Sequence, residues 1–260
     1  MPTQLGKLVQ RNTRRSSKKQ AIVVICCNSN DTWIDFLSNF TKYDVYMVID
    51  DNSKLYKNDK INIIQFSDSI CEEKGFTHMN YLTKKNVTGW EKAVYYFSNV
   101  NLSYKNVWFF EEDVFFYNEK TLLDIDKKYP NSDLLTNTYT SKLDSPEWYH
   151  WSRITIKLND PLYKAMVCAS RMSKKMLKLI DTYAKKHNEL FFLEVLFPTL
   201  CKKSKLEYNN PKELDNIIWR KGYKAEQIDK ANLYHPVKNI RYHRDFRNYL
   251  DARSSDKEKT

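Results

Sequence analysis

Glycine is scarce in this 260-residue chain, with 4 occurrences, and proline is little commoner, with 7. So low a content of both excludes a collagenous or low-complexity chain, while hydrophobic residues at 42% and aromatics at 14% supply a packed core. No apolar run approaches the ~20 residues that a membrane-spanning helix needs. The N-terminus is polar and basic with no apolar segment behind it, so no membrane span and no secretory leader are expected, and the expected location is cytoplasmic. Cysteine occurs five times, as Cys26, Cys27, Cys71, Cys168 and Cys201, an odd number without metal-site spacing. Cys26 and Cys27 lie inside an apolar run where successive side chains point to opposite faces, and all five read as buried, reduced thiols. The glycosylation-like triplets at Asn30, Asn39, Asn86 and Asn101 then read as chance in an Asn-rich chain. Neither GxGxxG nor GxxxxGK[ST] occurs, which disfavours the dinucleotide-binding and P-loop architectures.

The formal charge is +11, and its placement matters more than its size. Residues 1–20 contain Lys7, Arg11, Arg14, Arg15, Lys18 and Lys19 with no acid, and residues 238–260 carry a net +3, which leaves about +2 for the body. The basicity belongs to the tails, where attraction to a polyanion needs no sequence-specific readout, and nucleic acid is not favoured as the partner.

Three features predict the fold class. Ala21–Cys27, Asp44–Ile49, Ile61–Phe66 and Asn106–Phe110 are short apolar runs, each ending at polar or acidic residues. Between them, Trp33, Ile34, Leu37 and Phe40, then Trp90, Ala93, Val94 and Phe97, recur at helical spacing, with Asp31 and with Thr88 or Gly89 at the starts. No glycine-rich linker or repeat divides the chain. The expectation is one α/β domain over residues 21–245, with a mainly parallel central sheet flanked by helices, a basic arm at 1–20 and a charged tail at 246–260. In the second half, Asp133–Thr136 and Lys164–Ala169 read as strands, with a helix bearing Met172, Met176, Leu179, Ile180 and Tyr183. Pro211 is expected to open a further helix with Leu214, Ile217 and Ile218 inward, closed at Gly222.

Ligands of such sheets gather at the carboxyl ends of the strands, which here bear Asp50, Asp51, Asp68, Glu111, Glu112 and Asp113. Glu111, Glu112 and Asp113 stand between VWFF and VFF. The flanks demand burial while the carboxylates demand water, donors or a cation, and clustered oxygens suit a hard divalent ion. A strand ending in a charged turn is the alternative. Asp50 and Asp51 lie in Asp-Asp-Asn-Ser, which is also good turn chemistry. Lys92, in GWEKA, reads more readily as an exposed helix lysine. Glu194 is a lone carboxylate in LFFLEVLFPTL, where apolar surroundings raise a pKa towards that of a general base, and Glu189 is its rival. His235, in YHPVK, is followed by Lys238, Arg241, His243 and Arg244, cations able to neutralise phosphate. Trp148, Tyr149, His150 and Trp151 offer flat faces for a sugar ring or for loop packing.

Glu111-x-Asp113 resembles the DxD element of GT-A glycosyltransferases, with Glu in the first position, and the order of motifs over residues 20–245 is similar to that of the family. The resemblance implies a GT-A-like domain that moves a sugar from a nucleotide-sugar donor to a glycan or protein acceptor, with inversion. It implies a divalent cation, Mn or Mg, on Glu111, Asp113 and His235, donor contacts from Asp50, Asp51, Lys92, Glu112 and Lys238, and Glu194 as the base. The Asn, Lys and Tyr richness suits an AT-rich genome, and short enzymes of this look occur in large DNA viruses and bacteria. The alternatives are a non-catalytic protein that binds nucleic acid or an anionic glycan through its basic tails, and a sugar-phosphate nucleotidyltransferase, which lacks its glycine-rich loop here.

Overall fold

The computed structural model describes residues 19–257, with side chains through Ser254. Residues 1–18 of the basic arm and 258–260 of the tail lie outside the described residues. The elements run β1 (Gln20–Cys26), α1 (Asp31–Leu37), β2 (Asp44–Ile49), β3 (Asn62–Ile64), α2 (Asp68–Glu72) and α3 (Gly89–Tyr95), the last continued by a π-helical turn over Tyr96–Val100. There follow β4 (Asn106–Glu111), α4 (Glu119–Lys128), β5 (Leu134–Leu135), β6 (Thr140–Ser141), β7 (Tyr163–Lys164), β8 (Ala169–Ser173), α5 (Lys174–His187) and α6 (Leu193–Lys203). The chain closes with β9 (Tyr208–Asn209), β10 (Asn216–Ile217), β11 (Tyr234–His235) and α7 (Ile240–Lys257).

Seven strands form the central sheet in the order β3-β2-β1-β4-β8-β5-β9, and β8 alone among them runs against its neighbours. The pleat explains why these runs are apolar throughout. Ala21, Val23 and Ile25 of β1, with Val107 and Phe109 of β4, enter a core cluster shared with α3, α5 and α6. Ile22, Val24 and Cys26, with Trp108 and Phe110, enter the cluster on the opposite face, shared with α1 and α4. The protein is an α/β fold with a mainly parallel sheet flanked by helices. Each fully buried aliphatic or aromatic side chain of these strands contributes on the order of 1.5–3 kcal/mol of transfer free energy.

Several expectations need correction. Asn30, not Asp31, caps α1, its Oδ1 accepting from the N–H groups of Thr32 (3.0 Å) and Trp33 (3.4 Å). Met172 belongs to strand β8, and the helix begins only at Lys174, where the Ser173 hydroxyl accepts from Met176 N–H at 3.1 Å. The helix expected after Pro211 is a single 3-10 turn over Lys212–Leu214. Its continuation, β10, pairs with β11 in the register Ile217 to His235, and Ile218 is exposed. Cys27 stands beyond the end of β1 and is exposed, not buried. The division at residue 245 falls inside α7, whose Phe246 and Leu250 are buried against Phe115, Tyr234 and Val237. Arg247 fastens this helix by donating to the carbonyls of Phe116 (3.0 Å) and Tyr117 (3.2 Å) beneath the Phe36 ring.

Candidate functional site

The chain leaves β1 towards β2 on one side, while β4 lies on the other, so the order reverses between β1 and β4. Crevices at such switch points, outside the carboxyl ends of the strands, are where α/β sheets bind ligands. Here a cavity of about 820 Å³ opens at that place, lined by residues following β1 (Cys27, Asn30), β2 (Asp50) and β4 (Glu112, Asp113), by Thr88–Trp90 at the start of α3, and by Lys85 and Lys238. Its size is that of a small-molecule site.

The wall formed by α3 is fixed locally. Thr88 caps the helix, and Glu91 closes the reciprocal capping box by accepting from Thr88 N–H at 2.7 Å. Gly89 is required by proximity, since a Cβ there would meet Ile25 Cγ2 at 2.6 Å. Helix and β1 therefore touch, and Trp90 reaches across to donate its indole N–H to Glu111 Oε1 at 2.8 Å.

The acids after β4 divide their work. Burial raises the pKa of Glu111, opposed by the Trp90 hydrogen bond, while the negative charge of Asp113 pushes it further up. Burial likewise raises that of Glu112, whose main-chain carbonyl accepts from the Trp33 indole at 2.9 Å and whose side chain lines the cavity. Asp113 is laced to the C-terminal segment: its carbonyl accepts from Val237 N–H at 2.7 Å, and Phe115 exchanges main-chain hydrogen bonds with Tyr234. That lacing brings His235 Nε2 to 3.5 Å from Asp113 Oδ1. The other ring nitrogen of His235, Nδ1, faces the carbonyl of Ile218 at 3.1 Å, and a carbonyl only accepts, so Nδ1 carries the proton. Nε2 is left aimed at the acids, and Asp113 Oδ1 is buried without a hydrogen-bond partner. Glu111, Cys168 and His235 each offer a ligand atom, and those atoms lie within 4.8 Å of one another. This donor set fits a divalent cation, since it pairs carboxylate and imidazole, fixes the imidazole from behind, and leaves a buried carboxylate oxygen unsatisfied.

Cys168 reaches the cluster because β8 runs antiparallel to β4, with the Cys168 carbonyl accepting from Glu111 N–H at 2.8 Å. Glu194 sits in the first turn of α6. Pro198 has no N–H to give the carbonyl of Glu194, and that carbonyl instead accepts from Ala165 N–H at 3.0 Å, tying the helix start to the segment that leads to Cys168. Burial raises the pKa of Glu194 to about 7; the negative charge of Glu111 adds to the rise and Lys164 opposes it. Glu189 lies apart, its carboxylate 3.9 Å from Lys157 Nζ.

The donor-contact candidates separate. Asp50 lines the cavity and binds both Lys85 Nζ (2.8 Å) and Lys92 Nζ (2.9 Å). Lys92 is not an exposed helix lysine: its side chain is fully buried, and it also pairs with Asp68 at 2.7 Å. It supports Asp50 from beneath and is not a lining residue. Asp51 accepts from Ser53 N–H (2.8 Å) and from the Tyr56 hydroxyl (2.7 Å); the Ser53 side chain foremost, then the Tyr56 hydroxyl and the Ser53 main chain, hold its pKa down at about 2, and it too is not a lining residue. Lys238 lines the cavity with Nζ 5.2 Å above the Trp219 ring. In the aromatic loop, His150 and Trp151 are buried, Tyr149 is exposed, and Lys164 Nζ lies 4.7 Å above the Trp148 ring. Lys85, Lys164 and Cys168 escaped sequence reasoning. Lysine is too common to stand out, and a thiol 57 positions from Glu111 becomes its neighbour only through strand pairing.

No known protein family matches the chain, and no curated protein matches it. Among solved structures, mouse xyloside xylosyltransferase 1 in its apo form is similar over 75% of this chain and 85% of that one, at 8% sequence identity and a TM-score of 0.39. A likeness so distant assigns no activity.

Proposed function

We propose that the protein is a metal-dependent glycosyltransferase that takes a sugar from a nucleotide-sugar donor to an acceptor hydroxyl with inversion. The observation that carries this reading is the approach of His235 Nε2 to both Asp113 Oδ1, at 3.5 Å, and the Glu111 carboxylate, within the donor trio that Cys168 completes, where Glu111 and Asp113 line a cavity sized for a nucleotide. Two lone-pair-bearing atoms that face each other 3.5 Å apart call for a proton or a cation between them, and the open cavity supplies a route for a ligand that brings a diphosphate.

In this reading Glu111, Asp113 and His235 hold a divalent cation, which, when bound, draws off the negative charge that grows on the departing nucleoside diphosphate. Lys85 and Lys238 offset phosphate charge from the two sides of the cavity. Asp50, held in place by Lys92, accepts from the ribose or base of the donor. Glu194 takes the proton of the attacking acceptor hydroxyl, for which a pKa near 7 leaves it about half ionised and more basic than an ordinary carboxylate at neutral pH. The exposed Tyr149 and the Trp148 ring present flat faces to an acceptor sugar on the Glu194 side.

The test is a thermal-shift screen of nucleoside diphosphates with and without Mn2+, Mg2+ or Zn2+, followed by incubation of the stabilising nucleotide's sugar conjugates with acceptor glycans. Metal-dependent stabilisation by a nucleoside diphosphate, and release of that diphosphate with acceptor, are expected. Indifference to every nucleotide in the presence of each metal removes the reading.

One observation favours the polyanion-binding alternative. Lys19, Lys105, Lys174, Lys175 and Lys205 line a second cavity, about 800 Å³, at the amino ends of β1 and β4, and Asp133 and Glu207 share its wall. Tight, metal-independent binding of heparin or single-stranded nucleic acid, weakened by Lys105→Glu with Lys175→Glu, would support that alternative over the transferase.

A further inference from the structure

Cys168 reads from the sequence as a buried, reduced thiol, and the fold sets it beside two other groups able to bind a metal. Its Sγ belongs to the trio of donor atoms from Glu111, Cys168 and His235 that lie within 4.8 Å of one another. Metal bonds of about 2.0–2.3 Å at tetrahedral angles hold donors about 3.5 Å apart, so side-chain rotations of about 1 Å bring the trio to a common centre. A cation at that centre takes the place of the thiol proton, which leaves to solvent. His235 is already set for the exchange, with Nδ1–H engaged by the Ile218 carbonyl and Nε2 facing inward. Asp113 Oδ1, buried without a partner 3.5 Å from Nε2, is at hand as a fourth donor.

Donor chemistry then decides the metal. Carboxylate oxygens alone suit Mg2+ and Mn2+, whereas thiolate with imidazole suits Zn2+ and its borderline-soft relatives. Three protein ligands, of which Glu111 lies on the wall of an open cavity, is also the pattern of a zinc site that takes a further ligand from outside. We propose that Cys168 is a metal ligand, completing with Glu111 and His235 a site that takes Zn2+-class ions in preference to Mn2+ or Mg2+. The proposal rests on the metal-dependent reading above and changes the ion that reading employs.

Cobalt(II) is the probe, added to the full chain kept under reductant that does not bind metal. One equivalent is expected to give visible bands of low-symmetry, near-tetrahedral cobalt together with a near-ultraviolet thiolate-to-cobalt charge-transfer band. Zn2+ should bleach both at one equivalent, and Mg2+ in large excess should not. Cys27→Ser, which alters an exposed thiol on the cavity wall, should leave the spectrum intact. Cys168→Ser should lose the charge-transfer band and bind Zn2+ at least about 10-fold more weakly, since even outer-shell partners matter on that scale. Cobalt binding that is abolished by Asp113→Ala but shows no sulfur band would overturn the proposal and leave the metal-dependent transferase standing. A band lost in Cys27→Ser and kept in Cys168→Ser would overturn it equally. Absence of cobalt, zinc and manganese binding would remove both readings together. Should Cys168→Ser not fold, the cadmium-113 resonance of the unaltered chain decides: a position in the one-sulfur range supports the assignment, and one in the oxygen-and-nitrogen range overturns it.

Discussion

Trp90 and Glu111 are joined across the mouth of the central sheet by an indole N–H donated to Oε1 at 2.8 Å. Each partner is held from elsewhere: the Trp90 ring lies nearly parallel to Phe109 with centroids 5.9 Å apart, and Glu111 ends a strand paired on both edges. The bond favours the ionised carboxylate that burial disfavours, so it keeps Glu111 available to a cation.

Trp90→Phe preserves the aromatic contact and removes this donor. A hydrogen bond to a charged group contributes about 1.5–3 kcal/mol, so stability should fall by about 2 kcal/mol, read as a lower urea midpoint at unchanged slope. Metal-dependent nucleotide affinity should fall with it. Unchanged stability and affinity would mean that Glu111 needs no help from α3.

Lys92 and Lys85 both pair with Asp50 and should behave in opposite ways. Lys92 is fully buried between Asp50 and Asp68, so Lys92→Met takes the buried cation from both, leaves Asp50 to Lys85 alone, and should cost about 3 kcal/mol. Lys85 is exposed, and Lys85→Met should cost less than about 1 kcal/mol while weakening nucleotide binding. Denaturation of the two variants side by side checks the contrast, and equal losses would refute it.

The part of the fold built on consecutive residues could be read from the chain, and the part built on long-range pairing could not. β1, β2 and β4 announced themselves because strands buried on both faces must be apolar at every position, and Thr88 marked α3 by its capping chemistry. The helix expected after Pro211 failed because Leu214 and Ile217 have helical spacing and yet are recruited singly, one into a 3-10 turn and one into β10 beside β11. Glu111, Asp113 and Glu194 stood out as acids among apolar stretches, whereas His235 was singled out only through the family resemblance. Cys168 was hidden, since a cysteine among apolar neighbours looks the same whether it fills space or faces a carboxylate. Lys92 misled for the converse reason: a lysine in a helix looks exposed until the two acids that bury it are known.

Asp113→Ala should leave the fold as it is, because the lacing to Val237 runs through the main-chain carbonyl. The wild-type chain, given metal and a nucleoside diphosphate at 100 times its Kd, should gain about 2.7 kcal/mol, and the variant nothing. A variant stabilised as strongly as the parent would place the cation elsewhere.

Glu194 makes the last prediction, because one carboxylate should leave two signatures of opposite sense. Its pKa is about 7 in the folded chain against an ordinary 4.5, so between those values the folded state keeps a proton that the unfolded state has released. Stability should therefore decline as pH rises from 4.5 to about 7 and level off above, a loss on the order of 3 kcal/mol from this group. Catalysis runs the other way, since only the ionised carboxylate accepts a proton: transfer should rise about tenfold per pH unit below 7 and flatten beyond it. Glu194→Gln keeps the shape of the side chain and cannot titrate. It should flatten the stability profile, leave nucleotide binding near that of the parent, and reduce transfer by about 100-fold or more, whereas Glu189→Gln, on the Lys157 side, should transfer at near the parental rate. A Glu194→Gln enzyme that loses the pH dependence of stability but still transfers sugar would confine Glu194 to a structural role and leave inversion without its base.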